Sequence, residues 1–334
     1  MGLFNYFKDK KERVGDRYIL CLDGGGMRGI IPVVILSKLE QYMRQFHADK
    51  TLASYFDLIA GTSTGGLIAL SLTCPSTLKT IDYKNGKQVD LKELEDVYMT
   101  IGKEVFPAPS NDFFGIARAV RQVAFDKYPY SGIQNLLKGW FNDVPLTQAC
   151  VPTLIMSYDI GLGKEAMLCS YKDEGILAWE AGRATSAAPT YFAPFEKGER
   201  LLADGGVIAN NPSLYAYVEA KKMYPECRCF HILSIGTAND VHTTSRNETS
   251  GLISWIDQVS PMYMTAQRRT VDYIMEDSGL ADYLRINTPM DTSIKMDDIR
   301  DESMKKLYSF GVELSEKFDK QLCSFAKHLV KNKN

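Results

Sequence analysis

YFDLIAGTSTGGL, residues 55–67, decides the fold. Residues 55–60 are apolar and aromatic enough for a buried strand, Gly61 to Gly66 make a turn, and LIALSL continues as a helix. The same order occurs once earlier. RYILCL (17–22) reads as a short buried strand, a glycine cluster follows, and IIPVVILSKLEQYMRQF (30–46) reads as a helix, with Pro32 near its first turn. Strand, turn and helix twice over is the βαβ pattern of a parallel sheet. The expected fold class is α/β: a single three-layer α/β/α domain with a mostly parallel central sheet.

Downstream, residues 74–90 read as a loop containing Pro75, Asn85 and Gly86, and Asp90 as the cap of a helix from Leu91 to Lys103. Residues 105–145 are mixed, with four prolines and short helical pieces. VPTLIMSYDI (151–160) reads as a strand and EAMLCSY (165–171) as its hairpin neighbour. Residues 176–187 read as a helix. LLAD (201–204) reads as a strand end, and Asn211 and Pro212 as the start of a helix that runs through Met223. CFHILSIGT (229–237) reads as a buried strand, and 251–278 and 303–330 as long helices. No internal repeat or low-complexity linker interrupts the chain.

Composition excludes several classes. The 334 residues are 45% hydrophobic and 24% charged, ordinary for a globular protein with a large core. A net charge of −2 gives no reason to expect nucleic acid as a partner. The seven cysteines are odd in number and irregular in spacing, and Cys227 and Cys229 have no second pair to complete a zinc site. A reduced, cytoplasmic chain without metal is expected. No apolar run reaches the roughly 18 residues of a membrane span. The aromatic, then basic, N-terminal segment 1–16 reads as a loosely ordered end or as a peripheral membrane contact. Gly2 invites myristoylation, but Tyr6 stands where Ser or Thr is wanted. FFGIARAVRQVAF (113–125) has helical apolar spacing and reads as an amphipathic core helix or a membrane-surface helix.

Three glycine motifs carry the chemistry. Gly61-Thr62-Ser63-Thr64-Gly65 is a G-x-S-x-G pattern between a strand and a helix, the setting of a nucleophile elbow. Small residues two positions to either side keep such a sharp turn free of clashes. The competing reading is a glycine-rich helix start capped by a serine. Asp23-Gly24-Gly25-Gly26-Met27-Arg28-Gly29 also joins a strand to a helix. As G-x-G-x-x-G it could bind a dinucleotide, which needs an acid ending the next strand about 20 residues on, whereas the chain stays helical through Glu40. Its other reading is an oxyanion hole, in which each well-aimed amide contributes about 2.7–4 kcal/mol in the transition state. Arg28 reads first as a holder of that loop and second as a partner for a lipid phosphate. Asp204-Gly205-Gly206 places a carboxylate at a strand end, where open α/β sheets keep their sites; the bland reading is an Asp-Gly turn.

A Ser-His-Asp triad needs a histidine in a suitable place. His47 lies at a helix end, His231 inside an apolar strand, His242 in a polar loop and His328 near the basic C-terminus. A Ser63–Asp204 dyad, with Asp204 as general base, accounts for the motifs with fewer assumptions.

DGGGMRGIIP (23–32), YFDLIAGTSTGGL (55–67), ATSAAPTYFAP (184–194) and DGGVIANNP (204–212) in this order resemble the patatin-like phospholipases, and the likeness continues through SIGT (234–237) and MDDIRDESMKKL (296–307). The resemblance implies a catalytic domain over 17–334 that hydrolyses acyl esters of membrane lipids without calcium or cofactor. By that match Ser63 is the nucleophile and Asp204 the base. Gly24, Gly25, Gly26, Met27 and Arg28 form the oxyanion loop, and Gly61, Gly65, Gly205 and Gly206 shape the turns. The expected partner is a phospholipid or other acyl lipid at a membrane surface. Some bacterial relatives act as toxins or signal-activated defence effectors, a second reading of the same chemistry. A nucleotide-binding module on 24–29 is the reading from another class.

Overall fold

The computed structural model describes residues 14–107, 127–172, 175–240, 252–290 and 294–333. The N-terminal readings of residues 1–13, including myristoylation, and the amphipathic reading of 113–125 fall outside them, while residues 14–16 of the expected N-terminal segment belong to a strand.

Strand β1 (Val14–Leu22) is the centre of the architecture. Its side chains alternate between faces, as a period of two requires. Tyr18, Leu20 and Leu22 join one hydrophobic core, while Ile19 and Cys21 join a second on the opposite face. Both faces are therefore covered, which is the condition for a parallel sheet. β2 (Leu58–Thr62) pairs parallel to β1, and β5 (Thr153–Asp159) pairs parallel to β2. On the other side β9 (Cys227–Ile235) and β11 (Asp282–Ile286) extend the parallel run. Three antiparallel strands finish the eight-stranded sheet: β6 (Lys164–Cys169) and β8 (Arg200–Asp204) on β5, and β7 (Phe195–Lys197) on β8. The order is β11-β9-β1-β2-β5-β8-β7, with β6 beside β5.

Helices fill the outer layers. On the first face lie α1 (Ile30–Gln45), α2 (Thr64–Thr73), α3 (Leu91–Thr100), the short α4 (Gly102–Val105), α5 (Ser131–Phe141) and α6 (Ala178–Thr185). The one-turn α7 (Gly206–Ala209) follows β8. On the second face lie α8 (Ser213–Met223) and α9 (Leu252–Asp277), which bury Ala216, Ala220 and Met275. The last two helices, α10 (Asp301–Lys317) and α11 (Asp319–Lys333), return to the first face. Among the described residues no helix is long and apolar enough to cross a membrane.

Several local expectations change. The loop expected over 74–90 contains a hairpin, β3 (Thr80–Tyr83) and β4 (Gly86–Val89), turning at Lys84-Asn85. Its strands are only four residues long and bury only Gln88 and Val89, so no apolar alternation announces them. Residues 52–55 form a 3-10 turn, and β2 starts three residues later than read, at Leu58, and ends two later, at Thr62. The helix expected over 303–330 breaks at Phe318, and strand β11 was not expected at all. Asp90 does cap α3, accepting from Lys92 N at 3.0 Å. Pro212 occupies the cap position of α8, and Asn211 Oδ1 accepts from Ser213 N at 3.0 Å.

Candidate active site

The C-terminal ends of β1, β2 and β8 meet at one cavity of about 340 Å³. Each strand delivers one of the three glycine motifs. At the end of β2, Ser63 holds φ 53°, ψ −125°, a conformation costly for any residue with a Cβ. Glycines make the turn sterically feasible. A Cβ at Gly61 would lie 2.3 Å from Gly65 O, and one at Gly65 would lie 2.2 Å from Leu22 O. The Ser63 N–H donates to Thr185 Oγ1 at 2.8 Å, whose hydroxyl donates onward to Met156 O at 2.5 Å. Thr185, the last residue of α6, thereby ties the elbow to the neighbouring strand β5. Ser63 is half-buried, opens α2 and lines the cavity.

Asp204 ends β8 and lines the same cavity. Its Oδ1 accepts from Gly206 N at 2.7 Å, and Ser63 lines the same cavity close enough to act on the carboxylate. Burial pushes its pKa up from 3.8 to about 6, against the lowering effect of Ser63 and of the Gly206 N–H. Among the described residues no cation pairs with it. The tight turn after it needs Gly205, where a Cβ would lie 2.3 Å from Met156 O.

The glycine loop follows β1. Of its five residues, three already spend their backbone N–H. Gly24 donates to Asn210 O at 3.1 Å, Met27 to Met296 O at 2.8 Å and Arg28 to Gly25 O at 3.2 Å. The N–H groups of Gly25 and Gly26 have no acceptor among the described residues, and both glycines line the cavity. Gly26 has φ +58°, and a Cβ there would lie 2.4 Å from Met296 O. Arg28 is buried, and its Nε donates to Ile294 O at 2.8 Å, which is the loop-holding role rather than a free phosphate partner.

Behind the loop, Asp23 is fully buried and takes a two-pronged contact from Arg285, at 2.9 and 2.6 Å. Arg285 Nε lies 3.0 Å from Asp272 Oδ1, and its NH1 donates to Ser234 Oγ at 2.9 Å. Burial pushes the Asp23 carboxyl above its ordinary range while Arg285 opposes it. Arg285 comes from β11, a strand without a clear apolar pattern in the sequence. Thr185, Asn210 and Thr237 lie within the family motifs, whose letters do not show which side chains face the site.

The rest of the cavity is apolar. Leu67 and Ile68 of α2, Leu94 and Val97 of α3, and Leu136 and Trp140 of α5 line it. Such a slot accepts an alkyl chain at about 0.8 kcal/mol per methylene buried. Tyr263 stands at the cavity and is half exposed. His231 is remote in character: its ring bonds Asp282 at 2.7 Å and stacks on Tyr18.

The sequence profile described as Patatin-like phospholipase matches residues 20–217. This chain belongs to the patatin-like phospholipase family. Patatin-like protein 2 of Arabidopsis thaliana is 31% identical over 90% of this chain and 83% of its own length. Patatin-like protein 3 of the same plant is 30% identical over 90% and 80%. Calcium-independent phospholipase A2-gamma of Mus musculus is 28% identical over the whole chain but only 42% of its own length. Among solved structures, VipD from Legionella pneumophila aligns with a TM-score of 0.44 and 10% identity, over 90% of this chain and 67% of that one. As a patatin-like phospholipase, the chain is a lipid acyl hydrolase, an esterase. The dinucleotide reading of 24–29 is not favoured: β2, the next strand, ends in Gly61-Thr62 rather than in an acid.

Proposed function

We propose that Ser63 is the nucleophile and Asp204 the general base of a phospholipase A or lysophospholipase type reaction at a membrane surface, with residues 17–334 as the catalytic unit. The observation that carries this reading is the convergence of a strained, cavity-lining serine with a buried carboxylate beside two unused amides. Asp204 takes the Ser63 hydroxyl proton as Oγ bonds the ester carbonyl carbon. The oxyanion rests on the Gly25 and Gly26 amides, the members of the expected loop left free to donate. The C–O bond to the lipid alcohol breaks, and that oxygen takes the proton from Asp204. Water then gives a proton to Asp204 as its oxygen attacks the acyl-Ser63 carbon; the C–Oγ bond breaks, Asp204 returns the proton to Oγ, and the fatty acid leaves. The apolar slot takes the acyl chain.

A base must be ionised to act. kcat/KM is therefore expected to rise with pH through about 6 and to level above it, the direction set by the raised pKa of Asp204. A panel of phospholipids and lysophospholipids scored by mass spectrometry tests the rest. Wild-type protein releases fatty acid and Ser63→Ala releases none, with an unchanged circular dichroism spectrum. Turnover by folded Ser63→Ala at the wild-type rate would end the reading.

A further inference from the structure

The peptide between Gly24 and Gly25 is gripped at its carbonyl end. Gly24 O accepts from Thr237 Oγ1 at 2.6 Å and from Asn210 Nδ2 at 3.3 Å. Both side chains are buried. A peptide unit is planar and trans, so its N–H points away from its C=O. Holding the Gly24 carbonyl therefore sets the direction of the Gly25 N–H, which has no acceptor among the described residues and sits on the Ser63 cavity. A hydrogen bond accepted at the carbonyl also polarises the amide and strengthens its N–H as a donor.

The fit is close on every side. A Cβ at Gly25 would lie 2.3 Å from Thr237 Oγ1, and one at Gly24 would lie 2.6 Å from Asn210 Oδ1 and 3.1 Å from Ser63 Cβ. Asn210 also accepts the Gly24 N–H through its own carbonyl. Its neighbour Ala209 is held to the elbow strand by Thr62 Oγ1 at 2.7 Å. Thr237 follows β9, so a strand outside the three motif-bearing ones reaches the oxyanion loop.

We propose that Thr237, backed by Asn210, is a positioning residue for ester hydrolysis: its hydroxyl fixes the Gly24–Gly25 peptide plane and so aims the Gly25 amide at the oxyanion. This rests on the reading of Ser63 as nucleophile with Gly25 as an oxyanion donor. Thr237 itself touches no reacting atom. The contrasting role is packing alone, with the side chain merely filling the space over Gly25.

Two substitutions that differ by one oxygen separate these roles. Thr237→Ser keeps the donor and loses the methyl; Thr237→Ala loses both. On a p-nitrophenyl acyl ester, Thr237→Ala and the shape-matched Thr237→Val lower kcat about 10- to 100-fold with KM held, whereas Thr237→Ser stays near wild type. A trifluoromethyl ketone, whose adduct with a serine carries an oxyanion, loses affinity by the same factor in the donor-less variants only. Melting temperatures measured on all three identify any variant too unstable to compare, and the Ser/Ala pair stands without Thr237→Val. Equal kcat in Thr237→Ser and Thr237→Ala overturns the proposal while leaving Ser63 as nucleophile. Activity in Ser63→Ala, run alongside, overturns the underlying site instead.

Discussion

The two glycine turns at the cavity reach their shapes by opposite means. The elbow at Gly61–Gly65 is shaped mainly by its own and adjoining backbone, with Thr185 as its one side-chain tie. Its strain sits in Ser63 itself, and the atoms that forbid a side chain at Gly61 and Gly65 are backbone atoms of the elbow and the adjoining strand. The loop at Gly24–Gly26 is held from far away. Arg285 grips Asp23, Thr237 and Asn210 grip Gly24, Ile294 holds Arg28, and Met296 holds Met27. A turn of the first kind breaks by crowding. A turn of the second kind breaks when a remote partner is removed.

The largest expected effect follows from crowding. Gly65→Ala places a Cβ 2.2 Å from Leu22 O and 2.6 Å from Asp23 O, with no flexible side chain to yield. A loss of more than about 3 kcal/mol is expected, read by urea denaturation. A loss below about 1 kcal/mol would show that the elbow has slack and would weaken the contrast.

Arg285→Met tests the remote case. It strands Asp23 as a buried carboxyl without its cation, and removing one partner of such a pair costs about 3–5 kcal/mol. The double substitution Asp23→Leu with Arg285→Met should recover much of that stability but not the activity, since the loop loses its anchor. Full activity in the stable double variant would show that the loop needs no such anchor.

Asp204 sharpens the contrast, being buried like Asp23 but without a cation. Its folded pKa of about 6 lies above the ordinary 3.8, so the stability it contributes through proton binding is complete below about 3.8 and lost as pH rises through 6. Asp204→Asn, neutral at every pH, should therefore be more stable than wild type at pH 8 by roughly 1–3 kcal/mol, with the gap closing toward pH 4, while activity disappears. Thermal melts across that range check the sign.

The same contrast explains what could be read from the sequence. The elbow and the Asp204 turn were visible because local letters state them: glycines at fixed offsets between an apolar strand and a helix. The sheet's centre was visible because β1, β2, β5 and β9 are continuous apolar runs. The supports of the glycine loop were not, because they depend on which distant strand lies beside β1. Arg285 is an ordinary arginine until β11 pairs with β9 and carries it to Asp23. The amides left free in the loop could be identified only after Asn210, Met296 and Gly25 had claimed the others. The β3–β4 hairpin escapes the pattern for a simpler reason, since strands of four residues that bury only Gln88 and Val89 have little apolar alternation to show.

The smallest expected effect concerns His231, on the same strand β9 that leads to Thr237. Its partners, Asp282 and Asp16, belong to the sheet framework rather than to the cavity. His231→Ala should cost about 1 kcal/mol or less and leave kcat unchanged. A folded variant with a slowed chemical step would put a histidine back into the reaction.

The covalent intermediate is the most direct test of the whole account. Wild-type protein is mixed with an excess of a p-nitrophenyl acyl ester, quenched in acid during turnover, digested and mapped by mass spectrometry. The acyl mass is expected on the peptide containing Ser63 and absent from the Ser63→Ala protein. An acyl group on a different residue, or undiminished product release by Ser63→Ala with no adduct in either protein, would contradict it.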